Sequence, residues 1–279
     1  MEKNIHIYSK NNFRIFTINS KNIINEFLSI HKPNAFNSLV YANIINAFPI
    51  LNSVFSDEDI KVIYKLKTSG AVNNAIVEVQ DGIFRALINN ELDVKKEDIN
   101  LNKIDFEKVI GKGVLTITKT QNNNSYSSQI ELQHSTFIES INHFLLQSEQ
   151  LYSACVWVLN FDEKDFHKVT RAELVLMQKM PQATENDIVF FEKFIKENVL
   201  KNSSLEEYIS KLGAKKVDSK FVKSGCFCSI EKMKKVLENI SYQELNKIFK
   251  ENKNKIEIVC QFCKIEYEFS KEDFEKNKN

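Results

Sequence analysis

Four of the five cysteines in this chain stand in two close pairs near its end, Cys226-Phe-Cys228 and Cys260-Gln-Phe-Cys263, with 31 residues between them. The second is a C-x-x-C knuckle, whose sulfurs turn to one side when the chain folds back between strands. The first is tighter, and Gly225 eases the bend that lets its sulfurs converge. The segment around them, about 55 residues, is too small to build a deep hydrophobic core, so a crosslink or metal is the expected source of its stability. Four thiolates at about 2.3 Å form the closed tetrahedral shell of a structural zinc ion, with no position left for water or substrate. The spacing therefore predicts one Zn2+ per chain on Cys226, Cys228, Cys260 and Cys263, and argues against metal-assisted catalysis. An iron–sulfur centre is chemically open to the same donors. On the cysteines alone, a purely structural knuckle and a redox-responsive one both stand, since zinc keeps its ligands as thiolates, the form that oxidants attack.

The 279 residues suffice for one large domain and a smaller one. Charge is balanced, 38 basic against 37 acidic residues, and only Arg14, Arg85 and Arg171 are arginine, which argues mildly against nucleic acid as partner. No run approaches the 18 apolar residues of a membrane span, and Met1 to Asn12 lacks the apolar stretch of a secretion signal. A cytoplasmic protein with reduced thiols is the expectation, so paired cysteines point to metal or redox chemistry rather than permanent staples.

Periodicity along the chain predicts an α+β fold. Residues 22–57 read as mainly helical, with Pro49 as a kink or boundary. Strands follow at 62–69, 75–79 and 83–88, the last two joined by the hairpin signal Asp81-Gly82. A further antiparallel pair, 114–119 and 128–132, is joined by Gln121–Ser125. A helix over Thr136 to Gln147 and strands at 153–159 and 172–178 complete a large, mainly antiparallel-sheet domain, 1–181, closing near Met180-Pro181. Residues 182–222 read as a helical linker: Ile188, Phe191 and Ile195 share a face, Ser204 with Glu207 starts a short helix ending near Gly213, and Ala214 to Lys223 is polar and unpatterned. Residues 223–279 form the small zinc-binding domain, with two helices and two strands.

The remaining candidates take ordinary roles. Cys155, between Ala154 and Val156, reads as a buried small hydrophobe. His6, His31, His134, His143 and His167 show no ligand spacing. Neither a P-loop nor a nucleophile elbow occurs, and no enzyme is predicted. The lysines at 232–235 and 250–255, with Phe249, Tyr267 and Phe269, leave one alternative: a structural zinc knuckle that binds nucleic acid or a protein partner, provided those rings are exposed.

The cysteine pattern, read as Cys226-Phe-Cys228-Ser229-Ile230-Glu231-Lys232 and then Cys260-Gln261-Phe262-Cys263, resembles the signature of the Hsp33 family, the redox-regulated 33 kDa chaperonins. Tyr267-Glu268-Phe269, Leu146-Gln147-Ser148-Glu149-Gln150, Gly111-Lys112-Gly113 before Leu115-Thr116-Ile117, and Met180-Pro181 match family positions in the expected order. Ser69-Gly70-Ala71-Val72-Asn73-Asn74 departs from the Gly-Pro-Gly-like turn common there. The resemblance implies a stress-activated, ATP-independent holdase. Its four cysteines hold zinc when reduced, and form Cys226–Cys228 and Cys260–Cys263 disulfides on oxidation. It would bind unfolding client proteins, but no nucleic acid or membrane, as a monomer when reduced and a homodimer when active. Phe190, Phe191, Phe194 and Ile195 are candidates for a helix that covers apolar surface.

Overall fold

A computed structural model describes residues 4–54, 60–70, 72–89, 111–132 and 137–275. The chain divides into two compact units, Met1–Ser224 and Gly225–Asn279. Thr136, His134 and Ala71 lie outside the described residues.

The first unit is built on two sheets. β1 (Ile5–Lys10), β2 (Phe13–Asn19), β8 (Ser153–Phe161), β9 (Val169–Lys179) and β10 (Lys215–Lys220) form an antiparallel sheet in the order β10-β1-β2-β9-β8. β3 (Lys61–Thr68), β4 (Asn74–Gln80), β5 (Ile83–Asn89), β6 (Gly113–Gln121), β7 (Asn124–Leu132) and the two-residue β11 (Lys223–Ser224) form the other, in the order β11-β5-β4-β3-β6-β7. Only β11 runs parallel to its neighbour. Three helices belong with these sheets: α1 (Lys21–His31), α2 (Ala35–Val54) and α3 (Phe137–Glu149).

Period-two alternation explains the layering. In β2, Phe16 and Ile18 face the main core with α1, α2 and α3, while Phe13 and Ile15 face the other way. In β9, Leu174 and Leu176 join the main core, and Val175 and Met177 join the opposite cluster. That second layer is closed by α4 (Glu185–Glu197), a single 3-10 turn (Leu200–Asn202) and α5 (Leu205–Leu212), which bring Phe191, Phe194, Leu200, Leu205, Tyr208, Ile209 and Leu212 down on the sheet. Phe191 stacks on Phe13 with ring centres 3.9 Å apart, and Phe194 meets Tyr208 edge-on. Of the four covering-helix candidates, Phe191 and Phe194 are buried, Ile195 is partly buried and packed on the same cluster, and Phe190 stays exposed.

Two local expectations differ from the structure. Pro49 lies inside α2 rather than at its end. That helix is buried on nearly all sides, from Ala35 to Val54, and packing outweighs the roughly 3 kcal/mol that an interior proline costs. Residues 215–220, unpatterned in sequence, form β10, pairing with β1 from Ile5–Lys220 to Ser9–Lys215. Strand pairing there rests on backbone groups, and a solvated edge strand needs no apolar alternation. The hairpin at Asp81-Gly82 forms as its residue types require, both with positive φ, and β6–β7 closes through Asn122-Asn123 by the same means.

Candidate metal centre

The second unit opens with the first cysteine pair and continues into α6 (Ile230–Glu238), α7 (Tyr242–Glu251), β12 (Lys255–Val259), β13 (Glu266–Ser270) and α8 (Glu272–Glu275). Serines start both longer helices. Ser229 accepts from the Lys232 amide at 3.3 Å, and Ser241 accepts from the Glu244 amide while its hydroxyl donates to the Glu244 carboxylate at 2.8 Å. Among the described residues, the buried core has five apolar side chains at its centre, Leu237, Leu245, Phe249, Ile256 and Phe269. Phe249 and Phe269 are thus core residues and offer no stacking surface to a nucleic acid. Several of the lysines are paired along the surface, Lys234 with Glu238, Lys247 with Glu251 and Lys255 with Glu268.

β12 ends just before Cys260. The chain then turns tightly: the Cys260 amide donates to the Ile265 carbonyl at 2.9 Å, and the Lys264 amide donates back to the Cys260 carbonyl at 2.8 Å. Lys264 takes the left-handed conformation that closes this turn. Cys226 and Cys228 approach immediately before the N-cap of α6, where unpaired helix N–H groups favour negative charge. The Lys232 ammonium donates to the Phe227 carbonyl between them.

All four sulfurs lie within 4.8 Å of one another. The short separations cross between the pairs: Cys226 to Cys260 is 3.7 Å and Cys228 to Cys263 is 3.4 Å. Sulfurs at about 2.3 Å from a tetrahedral ion stand roughly 3.8 Å apart, so the spacing suits a four-thiolate shell. Among the described residues, this is the one group of three or more cysteine, histidine or acidic side chains able to hold a metal. Burial pushes the Cys228 and Cys263 thiols up from their ordinary values, against the lowering by the Tyr267 hydroxyl at Cys228 and by the Ile265 backbone at Cys263, and Cys226 and Cys260 add to both rises. Four thiolates cannot share this space without a cation to offset them. A divalent metal that prefers sulfur therefore fits the donor set.

One partner carries no signal in the sequence, where Tyr267 stands only as a possible stacking ring and as part of the Tyr267-Glu268-Phe269 segment. Its hydroxyl donates to the Cys228 sulfur at 3.0 Å, and that bond holds the phenol proton well above its ordinary range. A tyrosine on β13 four residues past the knuckle carries no spacing signal that separates a sulfur donor from a core ring. Cys155 stands apart from the cluster, in β8. Its thiol reaches the Asn142 side-chain oxygen at 3.2 Å, and burial raises it far above reactivity. The described histidines take other places: His31 stacks on Phe27, and His167 bonds the Pro33 carbonyl. No helix among the described residues is long and apolar enough to cross a membrane.

Residues 5–270 match the family model described as Hsp33 protein. The chain is 30% identical to a 33 kDa chaperonin of Streptococcus suis, with 99% of each chain covered. It is 26% identical to a 33 kDa chaperonin of Acholeplasma laidlawii, covering 94% of this chain and 93% of the other. The crystal structure of the 33 kDa chaperonin (heat shock protein 33 homolog) from Thermotoga maritima superposes with a TM-score of 0.83 at 20% identity, covering 99% of this chain and 97% of that one, and so shares the fold. A match running through both sheets, the α4–α5 layer and the cysteine unit places this chain in the Hsp33 family, a family of chaperones and not of enzymes.

Proposed function

We propose that this chaperone is a redox-regulated, ATP-independent holdase of the cytoplasm, and that the four sulfurs are its switch. The convergence of Cys226, Cys228, Cys260 and Cys263 within 4.8 Å, in a unit with five core side chains among the described residues, is the observation that carries the reading. These four residues would hold one Zn2+ in the reduced chain. The metal, when bound, supplies the positive charge that lets all four thiols stay ionised. Tyr267 fixes the Cys228 sulfur in place by its hydrogen bond.

Oxidation acts on the sulfurs themselves. In each of the pairs Cys226–Cys228 and Cys260–Cys263, two thiolates meet one peroxide. A sulfur–sulfur bond forms, the oxygen–oxygen bond breaks, two electrons pass to oxygen, and two protons from solvent complete two waters. Disulfide sulfurs no longer serve as thiolate ligands, so the shell that stabilises residues 223–279 is lost and the small domain unfolds. The segment 182–222, helical as far as Leu212 and a strand at Lys215–Lys220, then loosens from the 1–181 core, and the apolar faces it covers become available to unfolding proteins. The reduced chain is a monomer and the active one a homodimer on this reading.

The test follows zinc, free thiols and light scattering of an aggregating client together, under peroxide with mild heating. One zinc per reduced chain, lost with four thiols as client aggregation stops, is the expected result. Loss of zinc and thiols with no gain in client holding would leave a structural knuckle. A salt-dependent affinity of the reduced form for RNA or DNA would favour nucleic-acid binding.

A further inference from the structure

The sheet that carries β1 and β2 ends in two unlike edges. β10 is charged, with Lys215, Lys216, Asp218 and Lys220 in six residues, the usual protection of an edge strand. β8, at the other edge, reads Ser-Ala-Cys-Val-Trp-Val-Leu-Asn-Phe over nine residues, without a charge or a proline. Its register fixes which backbone groups point outward. The Lys179 amide donates to the Tyr152 carbonyl, so Ala154, Val156 and Val158 face β9, and Ser153, Cys155, Trp157 and Leu159 turn their amides and carbonyls away from it. Among the described residues, none of those outward backbone groups has a hydrogen-bond partner, and Trp157 and Tyr152 are exposed beside them.

The start of this edge borders a groove of about 750 Å³ between α3 and α4, with Ala154 and Met177 in its lining and Leu146, Ile188 and Ile195 on its walls. Glu192 on α4 is in its lining, as is Lys179, whose ammonium lies over the Tyr152 ring. An open row of amides and carbonyls selects an extended backbone. The uncharged strand and apolar walls select apolar side chains, and the Glu192 carboxylate favours a basic residue at the end of the segment.

We infer that the free edge of β8 is a docking strand for an extended, apolar, base-flanked segment of an unfolded polypeptide, which adds to the sheet as a sixth strand. This rests on the holdase reading, and locates where part of the client is gripped.

The probe is a fluorescein-labelled nine-residue peptide of alternating valine and threonine ending in lysine, offered to the oxidised full chain. A second peptide carries N-methyl groups on alternate residues, which removes strand pairing and keeps the side chains. The first peptide is expected to bind at least tenfold more tightly than the second, and to slow exchange of the Ser153, Cys155, Trp157 and Leu159 amides at least tenfold. Replacing its lysine with glutamate is expected to weaken binding several-fold. Leu159→Pro, which removes an outward amide together with a side chain packed on the main core, is expected to lower affinity tenfold with Val158 and Asn160 still protected. If that variant unfolds the strand, the paired peptides on the unaltered chain still decide. Equal binding of the two peptides overturns the inference. So does client holding with those four amides unprotected, or protection that rises with protein concentration in the absence of peptide, which would give the edge to a second copy. Peptide pairing without suppression of client aggregation would instead overturn the holdase reading and leave the docking strand standing.

Discussion

Removing the Arg171 side chain tests how the α4–α5 layer is held. Arg171 lies on β9, on the face that this layer covers. Its guanidinium donates to the carbonyls of Leu200 at 3.1 Å, Lys201 at 3.2 Å and Ser203, and grips the Glu173 carboxylate through Nε at 3.0 Å and Nη2 at 2.6 Å. One side chain thus pins the 3-10 turn between α4 and α5 to the sheet. Arg171→Ala leaves three carbonyls and a carboxylate without their donor. The Leu200, Lys201 and Ser203 carbonyls, exposed or only partly buried, regain water and cost about 1 kcal/mol together. The Glu173 side chain is only 11% exposed, and a poorly solvated carboxylate stripped of its partner costs about 2–4 kcal/mol. The sum, about 3–5 kcal/mol, is expected to fall on residues 198–212 before the sheet itself. Hydrogen exchange at the Asn202 and Ser203 amides and proteolysis within 198–204 read it locally, and urea unfolding reads it globally. Arg171→Ala with Glu173→Gln is expected to recover about 2 kcal/mol, because the stranded charge is gone. Release of Phe191, Phe194 and Tyr208 from the sheet predicts dye binding and client holding without oxidant. A loss below about 1 kcal/mol, or no recovery in the double variant, would refute the pin.

Phe249→Ala removes a ring that is 1% exposed from the five-residue core of the second unit, at about 3–5 kcal/mol, and is expected to unfold that unit even with zinc supplied; a native circular-dichroism signal and undiminished zinc affinity would count against it. Cys263→Ser is expected to weaken zinc retention at least tenfold against a chelator and loosen β12–β13, whereas unchanged zinc affinity would remove Cys263 from the ligand set. The capping box of α4 predicts an acid weakness. The Thr184 amide, then the Asn12 side chain, hold the Asp187 carboxyl below its ordinary value of 3.8. A carboxyl lowered by folding stabilises fully above that value and loses its effect as pH falls through the lower folded one. Protection factors in the first turn of α4, corrected for the intrinsic pH dependence of exchange, should therefore fall below pH 3.8 in the unaltered chain and stay constant there in Asp187→Asn.

The sequence carried the parts of this molecule that local chemistry decides. Ser204 caps the helix its spacing announced, and Asp81-Gly82 turns the hairpin its residue types demand. The four cysteines converge as two knuckles whose spacing was already evident. What local pattern could not carry was pairing across long separations. β10 carries no apolar alternation because its neighbour, and not its own side chains, makes it a strand. Arg171 could not be told from a surface arginine, since its partners are backbone carbonyls some thirty positions later. Pro49 marked a break that burial of the whole α2 surface overrode. The Tyr267 hydroxyl had no reason to be read apart from the aromatic ring that carries it.

The place of β10 also orders the making of the protein. β1 leaves a ribosome well before one of its two neighbours, the strand that ends at Lys220. During synthesis that side of β1 stays open until the whole stretch between Lys10 and Lys215 has been translated, and the residues that follow β10 bring the first cysteine pair. A nascent chain stalled before that point therefore shows an unfinished sheet to its surroundings, and the last stitch in the first unit and the first thiols of the second come out of the tunnel almost together.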